Sequence, residues 1–406
     1  MKILHITTIR SGSAGRTATD LKEFFTQKGE EYKIAFSEPD EKPINGDILI
    51  GGNIDHKTHA FLSRLFGLQG YFSYFATKRF LKKIKVYHPD IVVLGILHAN
   101  YLNLPLLFRF LAEEKVAVAM ILDDCWLFTG KCTHFTSRKC DKWKTECNHC
   151  PARRSDNKSW LFDRSTKMFH DRLKWYNGLS SLTVIAVSDW EKRIADQSPL
   201  LTNANIIRIY NWINTDVFRP ASEELIQKTK EKYNLSSDIK YVISVSAGWS
   251  LNNSRTKDAI CLAGILPHGY RLIVVGRVEK GIFPENVICI PHTSDQLELA
   301  ALYSLSKAYL HLSVEDTFGK VIAEAMACET VPIVFDSTAC GEIAGPFGIS
   351  VTPHNIEAMI KSIPLAEDNV RCMNVRNYAL EKYYRPTNIN AYGICFNNLL
   401  QSGSES

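Results

Sequence analysis

The sequence is short of several features, and each shortage closes off a class of protein. It has no uninterrupted apolar run long enough to cross a bilayer. The nearest candidate, Ile91 to Phe108, is broken by His98, Asn100, Asn103 and Pro105, so a transmembrane helix is excluded. No charged-then-apolar leader opens the chain, because Met1-Lys2 runs straight into the strand-like KILHITT. There is no short repeat, and the only low-complexity piece is the tail Ser402-Gly403-Ser404-Glu405-Ser406, expected to be unstructured. The glycine-rich turn SGSAGR lacks the third glycine of a dinucleotide fingerprint, and no Gly-Lys-Ser/Thr follows it as in a P-loop. Regular zinc-finger spacing is also missing, which argues against nucleic-acid binding.

What is present belongs to an ordinary globular protein. At 406 residues, 45% hydrophobic and 22% charged, the chain suffices for two domains with full cores. Eleven cysteines in an intracellular-looking chain point to thiols or metal ligands rather than a disulfide framework. Short β-rich runs recur at KILHITT, EYKIAF, DILIGG, PDIVVLGIL, VAVAMIL and LTVIAVS. A second series follows at YVISVS, YRLIVVG, NVICIP, AYLHLS, VPIVF and GISVTP. Helical segments between them predict an α/β protein with parallel, doubly wound sheets. The expected division is 1–213, 214–385 and a last helix within 386–406 that packs back on the first domain. The turn-rich NWINTDVFRP, Asn211 to Pro220, is the expected hinge, and the two domains are expected to face a cleft lined by strand-end loops.

A net charge of +5 is modest but unevenly placed. Twelve Lys/Arg against five Asp/Glu fall between Lys131 and Lys174, and Lys78, Arg79, Lys82, Lys83 and Lys85 form a run with no acid. Such stretches are either solvated faces or surfaces that attract phospholipid or a phosphate-bearing substrate. Tyr71, Phe72, Tyr74 and Phe75 precede the second run, as core packing or as a peripheral docking edge.

Three strand-to-helix turns carry the candidate chemistry. In SGSAGR, Ser11 to Arg16, Gly12, Ser13, Gly15 and Arg16 let backbone amides approach a phosphate or sugar at a helix start. In SAGWSLNNSRTKD, Arg255 and Lys257 stand near a helix N-terminus, as a diphosphate clamp or a solvated loop. The third turn is VEDTFGKVIAEAMACETVP, Val314 to Pro332. Its helix has an apolar body that should exclude an acid, yet it carries Glu324, eight residues after Asp316. With the amides of Phe318, Gly319 and Lys320 between them, the two carboxylates suit a nucleotide sugar: sugar hydroxyls at Asp316, diphosphate over the helix end, ribose at Glu324.

This stretch resembles the Glu-x7-Glu signature of retaining glycosyltransferases of family 4, with Asp316 in the first position and Glu324 in the second. HTSDQLELAALYSLSKAYLHLS, ACETVPIVFDSTACGEI, NWINTDVFRP, PDIVVLGILHANYLNL, DDCWLFTGKCTHF and SGSAGR resemble blocks of its exopolysaccharide, capsule and O-antigen branch, in order along nearly the whole chain. The resemblance implies a GT-B fold and transfer from a UDP- or GDP-sugar to a saccharide acceptor with retained anomeric configuration. The implied acceptor is polyprenyl-diphosphate-linked, and the implied location is the cytoplasmic face of the membrane, whose anionic surface is a partner. No catalytic metal is implied, because cations and the helix end neutralise the leaving diphosphate. Asp316, Asp123 and Asp124 would serve catalysis. Arg255, Lys257, Phe318, Gly319, Lys320, Glu324 and Glu342 would bind donor. Gly12, Ser13, Gly15, Arg16, His98 and Trp126 would lie on the acceptor side.

The chain departs from the family pattern at four places. Asp316 replaces glutamate, Asp123 stands where a His-Asp dipeptide usually has histidine, WSLNNSRTK replaces a Gly-Arg/Lys-Gly motif, and Glu329 replaces a glycine. A non-catalytic nucleotide-sugar-binding scaffold is therefore the alternative reading. Cys132, Cys140, Cys147 and Cys150 fall in a basic insertion, about 131–155. They are read either as a structural zinc site or as free thiols, with His134 and His149 as possible substitutes.

Overall fold

The computed structural model describes residues 1–10, 12–38, 43–44 and 46–404. The chain divides into two compact units, one formed by Met1–Ile209 with the segment from Ile389 onward, the other by Tyr210–Asn388.

The first unit holds strands β1 (Lys2–Ile6), β2 (Glu31–Phe36), β3 (Ile48–Leu49), β4 (Ile91–Leu94), β5 (Ala117–Leu122), β6 (Leu182–Ala186) and β7 (Asn205–Arg208). They form one sheet in the order β3-β2-β1-β4-β5-β6-β7, and every pairing is parallel. β4 and β5 are buried almost residue for residue, as helices on both faces of a parallel sheet require. β7 was not among the sequence-predicted strands. Its NIIR has two apolar residues between polar ones, too little pattern to mark it, and the pairing with β6 defines it. Phe25 and Phe396 stack at 5.3 Å, so the end of the chain completes the helical layer of this unit. The C-terminal helix runs from Arg385 to Ser404, so the tail expected to be unstructured is helical to that residue. Glu405 and Ser406 lie outside the described residues.

The second unit holds β8 (Lys240–Trp249), β9 (Tyr270–Val278), β10 (Val287–Ile290), β11 (Ser306–His311), β12 (Pro332–Phe335) and β13 (Ile349–Val351). Their order is β10-β9-β8-β11-β12-β13, again all parallel. The strand order reverses between β1 and β4 in one sheet and between β8 and β11 in the other. Loops leaving the carboxyl ends of such strands splay apart there, which is where open α/β sheets take ligands. The apolar stretch Ile91 to Phe108 becomes β4 and part of the helix Leu104–Glu113. Among the described residues no helix is long and apolar enough to cross a membrane.

Candidate functional site

In the second unit the loop after β11 begins at Leu312 and ends at Gly319, the N-cap of the helix Lys320–Ala327. Gly319 has φ +79°, and a Cβ there would stand 2.9 Å from Ile322 Cδ1, so the turn requires glycine. The loop is tied to its neighbour after β12. The Asp316 amide donates to Thr338 Oγ1 at 3.1 Å, the Ala339 amide donates to the Asp316 carbonyl at 3.3 Å, and Ser337 Oγ donates to the Val314 carbonyl at 2.8 Å. Phe318 turns its ring into the core, edge-on to Tyr383 with centroids 5.2 Å apart. Only its backbone is left for the donor role expected of it.

Asp316 is held by a residue the sequence reading did not single out. His311 Nε2 and Asp316 Oδ2 are 2.9 Å apart, and His311 Nδ1 meets the Tyr309 hydroxyl at 2.8 Å. Burial alone would lower the basicity of His311. Its surroundings, Tyr309, Cys340 and Asp316, reverse this and hold its pKa well above the usual histidine value. Burial keeps the Tyr309 hydroxyl protonated, so the Asp316 carboxylate is the charge that matters. The signal was in the strand itself: Tyr309 and His311 stand two apart in a buried strand, hence on one face. Ligand atoms of His311, Asp316 and Cys340 lie within 4.8 Å of one another, near enough to share an ion. Both imidazole nitrogens already have hydrogen-bond partners.

Glu324 lies in the interior of the helix Lys320–Ala327 and is 3% exposed. Glu342 sits half-buried in the first turn of Cys340–Ala344, where the Tyr383 hydroxyl donates to the neighbouring Ile343 carbonyl at 2.9 Å. Lys320, at the first helical position, stands 5.9 Å from the Trp212 ring centroid. Arg255 and Lys257 are not brought together. Arg255 Nη1 turns back onto Ser246 Oγ at 2.8 Å, at the end of β8, while Lys257 is exposed. Two residues apart on a helix, they face different sides.

In the first unit His98, beyond β4, and Asp124, beyond β5, pair at 2.8 Å between Nε2 and Oδ2. Burial opposes a charge on His98, but Asp124 outweighs it and raises the pKa above the ordinary value. Asp124 Oδ1 also accepts the Trp126 amide at 2.8 Å and so caps the short turn Cys125–Phe128. Trp126 is buried, with the Arg172 guanidinium 3.7 Å from its ring centroid. Arg172, itself buried, donates to the carbonyls of Trp126 and Thr129. Asp123, half-buried, remains beside this pair in sequence.

The glycine turn after β1 starts the helix Gly12–Gln27, with Gly12 at φ +68°. Gly15 lies so close to the Arg10 backbone that a Cβ would stand 2.3 Å from its carbonyl carbon. Arg16 is half-buried, whereas Ser11 and the side chain of Ser13 lie outside the described residues. Arg10, which the sequence reading passed over, joins Asp47 at 3.3 Å, and Asp47 also takes Lys22 at 2.5 Å and the Ile34 amide at 2.9 Å.

The four insertion cysteines line one small cavity with Phe135 and Trp143. Cys132 and Cys150 meet, sulfur to sulfur, at 4.0 Å, and the Gly130 amide donates to Cys147 Sγ at 3.3 Å. Among the described residues no three of the four sulfurs lie within 4.8 Å of one another, so the expected zinc set is not assembled as tetrahedral coordination needs. None of the four forms a disulfide. Lys131 and Arg172, counted above as part of a basic stretch, are both buried and spend their charge on backbone carbonyls.

Residues 257–382 match the family model for glycosyl transferases group 1. No curated protein matches the sequence significantly. Among solved structures, a glycosyltransferase from Rickettsia africae shares 15% identity, covers 98% of each chain and has a TM-score of 0.67. Sucrose-phosphate synthase from Thermosynechococcus elongatus shares 14%, covering 99% of this chain and 100% of that one at 0.68. HepE from Anabaena in complex with UDP and glucose shares 13%, covering 98% and 100% at 0.67. At such identities the likeness establishes the fold, that of the GT-B glycosyltransferases.

Proposed function

We propose that this chain is a retaining glycosyltransferase that moves a sugar from a nucleotide-sugar donor to a lipid-linked saccharide in surface polysaccharide biosynthesis. One observation carries the reading. In the segment that matches a glycosyl transferase domain, Asp316, a glycine-capped helix start and the buried Glu324 follow one another beside the β8/β11 reversal.

In this reading Glu324 takes the ribose diol and the amides of Gly319 and Lys320 take the diphosphate, aided by the helix dipole. Arg255, steadied by Ser246, and the exposed Lys257 act separately on the phosphates rather than as one clamp. Asp316, oriented by His311, accepts hydrogen bonds from donor sugar hydroxyls, and Glu342 lines the same pocket. The bond between the anomeric carbon and the phosphate oxygen breaks while the acceptor oxygen bonds to that carbon on the same face. The acceptor's proton passes to the leaving phosphate. No metal is needed, because the cations and helix end stabilise the charge that develops.

On the acceptor side, His98 supplies from the loop after β4 the imidazole absent at Asp123, with Asp124 as its partner. That pairing favours an active enzyme over a non-catalytic scaffold. Gly12, Gly15, Arg16 and Trp126 shape the same region. The helix Tyr74–Tyr87 exposes Tyr74 and Phe75 beside Lys78, Arg79, Lys82 and Lys83, suited to the anionic inner face of a cytoplasmic membrane. Tyr71 and Phe72 are instead half-buried, Tyr71 bonding Asp171 at 2.5 Å.

The test is a panel of UDP- and GDP-sugars scored for binding, slow hydrolysis and transfer. Binding with hydrolysis of one donor is expected. Binding without turnover would leave the scaffold reading, and no nucleotide binding at all would overturn the donor site.

A further inference from the structure

Among the described residues, seven aromatic side chains are strongly exposed, and six of them fall in two short stretches of the first unit, 61–75 and 160–162. The second stretch is a turn, Trp160-Leu161-Phe162, whose three side chains are 45%, 59% and 42% exposed. It does not stand alone. Trp160 packs edge-on against Phe61, itself 52% exposed, with ring centroids 5.9 Å apart, and its amide donates to the Arg64 carbonyl at 2.7 Å. A chain that leaves three consecutive large apolar residues in water needs a reason to do so.

The turn is also rigidly built. Ser159 bonds the Phe162 carbonyl, the Ser159 amide donates to the Arg153 carbonyl at 2.8 Å, and Arg153 Nη1 donates to the Leu161 carbonyl at 3.3 Å. Gly67, at φ +70°, leaves room for it, because a Cβ there would lie 2.3 Å from the Phe162 carbonyl oxygen. With its backbone satisfied internally, the turn presents side chains outward as a fixed edge.

The charge around that edge has one sign. Lys57, Arg64, Arg154, Lys158 and Arg164 are exposed and have no ion-pair partner among the described residues. The nearby acids face inward: Asp156 accepts the Thr133 amide and hydroxyl, and Asp163 accepts the amides of Cys150 and Ser165. A second copy seated here would set these cations against their own counterparts. An apolar edge ringed by cations fits the interface of an anionic bilayer, where rings enter the acyl boundary and cations meet headgroups.

We propose that Phe61 and the turn Trp160–Phe162 form an edge of the first unit that inserts into an anionic lipid surface, a contact distinct from the helix Tyr74–Tyr87. It deepens the membrane part of the proposed function and does not depend on donor binding. The test is co-sedimentation of the full chain with vesicles of phosphatidylcholine alone or mixed with phosphatidylglycerol, and with brominated-chain lipids as a fluorescence quencher.

Wild type is expected to bind the mixed vesicles and to lose a quenchable signal in Trp160→Phe. Binding should fall about tenfold or more in Leu161→Ser/Phe162→Ser and in Arg154→Glu/Lys158→Glu. All these positions are exposed, and unchanged circular dichroism with unchanged nucleotide-sugar binding would show that the variants fold. Wild type that ignores anionic vesicles overturns the proposal. So does binding that survives Leu161→Ser/Phe162→Ser and fails only in Lys82→Glu/Lys83→Glu, or a dimer that these serine substitutions dissolve. Failure of wild type to bind any nucleotide sugar would count against the donor reading alone.

Discussion

His311 and Asp316 are joined by a hydrogen bond of 2.9 Å, and the far nitrogen of the same ring meets the Tyr309 hydroxyl at 2.8 Å. The Asp316 side chain is short, and the relay through the buried His311 and Tyr309 fixes its carboxylate. Because the folded-state pKa of His311 is raised, the pair's stabilisation is complete below the ordinary histidine value. It fades as pH rises through the higher folded value. Thermal melts of wild type and His311→Gln should therefore differ most in mildly acid buffer and converge on the alkaline side. A gap that stays constant with pH would show that the ring acts by packing alone.

Under the proposed function, Glu324 and Asp316 should separate kinetically. Glu324→Gln is expected to weaken nucleotide binding about tenfold or more, because a buried charge-assisted hydrogen bond is lost. Asp316→Asn should lower kcat about a hundredfold while the nucleotide Kd moves little. Calorimetric titration with UDP and a transfer assay distinguish these results, and the reverse pattern would contradict the assigned roles.

His98→Ala and Asp124→Asn should each reduce transfer about a hundredfold without weakening nucleotide binding, since the pair stands in the first unit. A double variant no worse than either single would identify them as one functional unit. Additive losses would mean that they act independently.

Asp47 accepts Arg10, Lys22 and the Ile34 amide while almost fully buried. Asp47→Ala removes a buried acceptor shared by two cations and an amide and should cost about 3–5 kcal/mol in denaturant unfolding. Lys22→Ala, which leaves Arg10 in place, should cost less.

Gly15→Ala places a methyl group against the Arg10 carbonyl and should destabilise by about 1–3 kcal/mol. Urea midpoints check this, and a neutral result would mean that the turn shifts freely.

Much of the architecture was legible because parallel strands buried on both faces must be continuous apolar runs. The twelve sequence-predicted runs all became strands, whereas β7 was hidden because NIIR carries no such pattern. Glu324 drew notice for a related reason: it breaks an apolar helix face, and a buried acid there is costly unless partnered. The support of Asp316 was not legible. Nothing in the apolar run around His311 marked it, and only its alternation with Tyr309 hinted that both face one way. Arg255 and Lys257 read as a pair because the sequence gives spacing, but a helix turns two neighbours to different sides.

The sequence by itself determined most of the strands and helices, β7 and the helical tail aside, and which turns combine a glycine with an acid, because both follow from local periodicity and backbone freedom. Only the tertiary structure decided which distant side chains meet. It placed His98 on Asp124 across β4 and β5, and it kept three of the insertion's sulfurs from converging. It also buried Lys131 and Arg172 within a stretch whose composition read as a charged surface, and set Trp160 against Phe61. Charge and hydrophobicity can be counted along a chain, but what they touch is set by strand order and by the packing of the loops upon it.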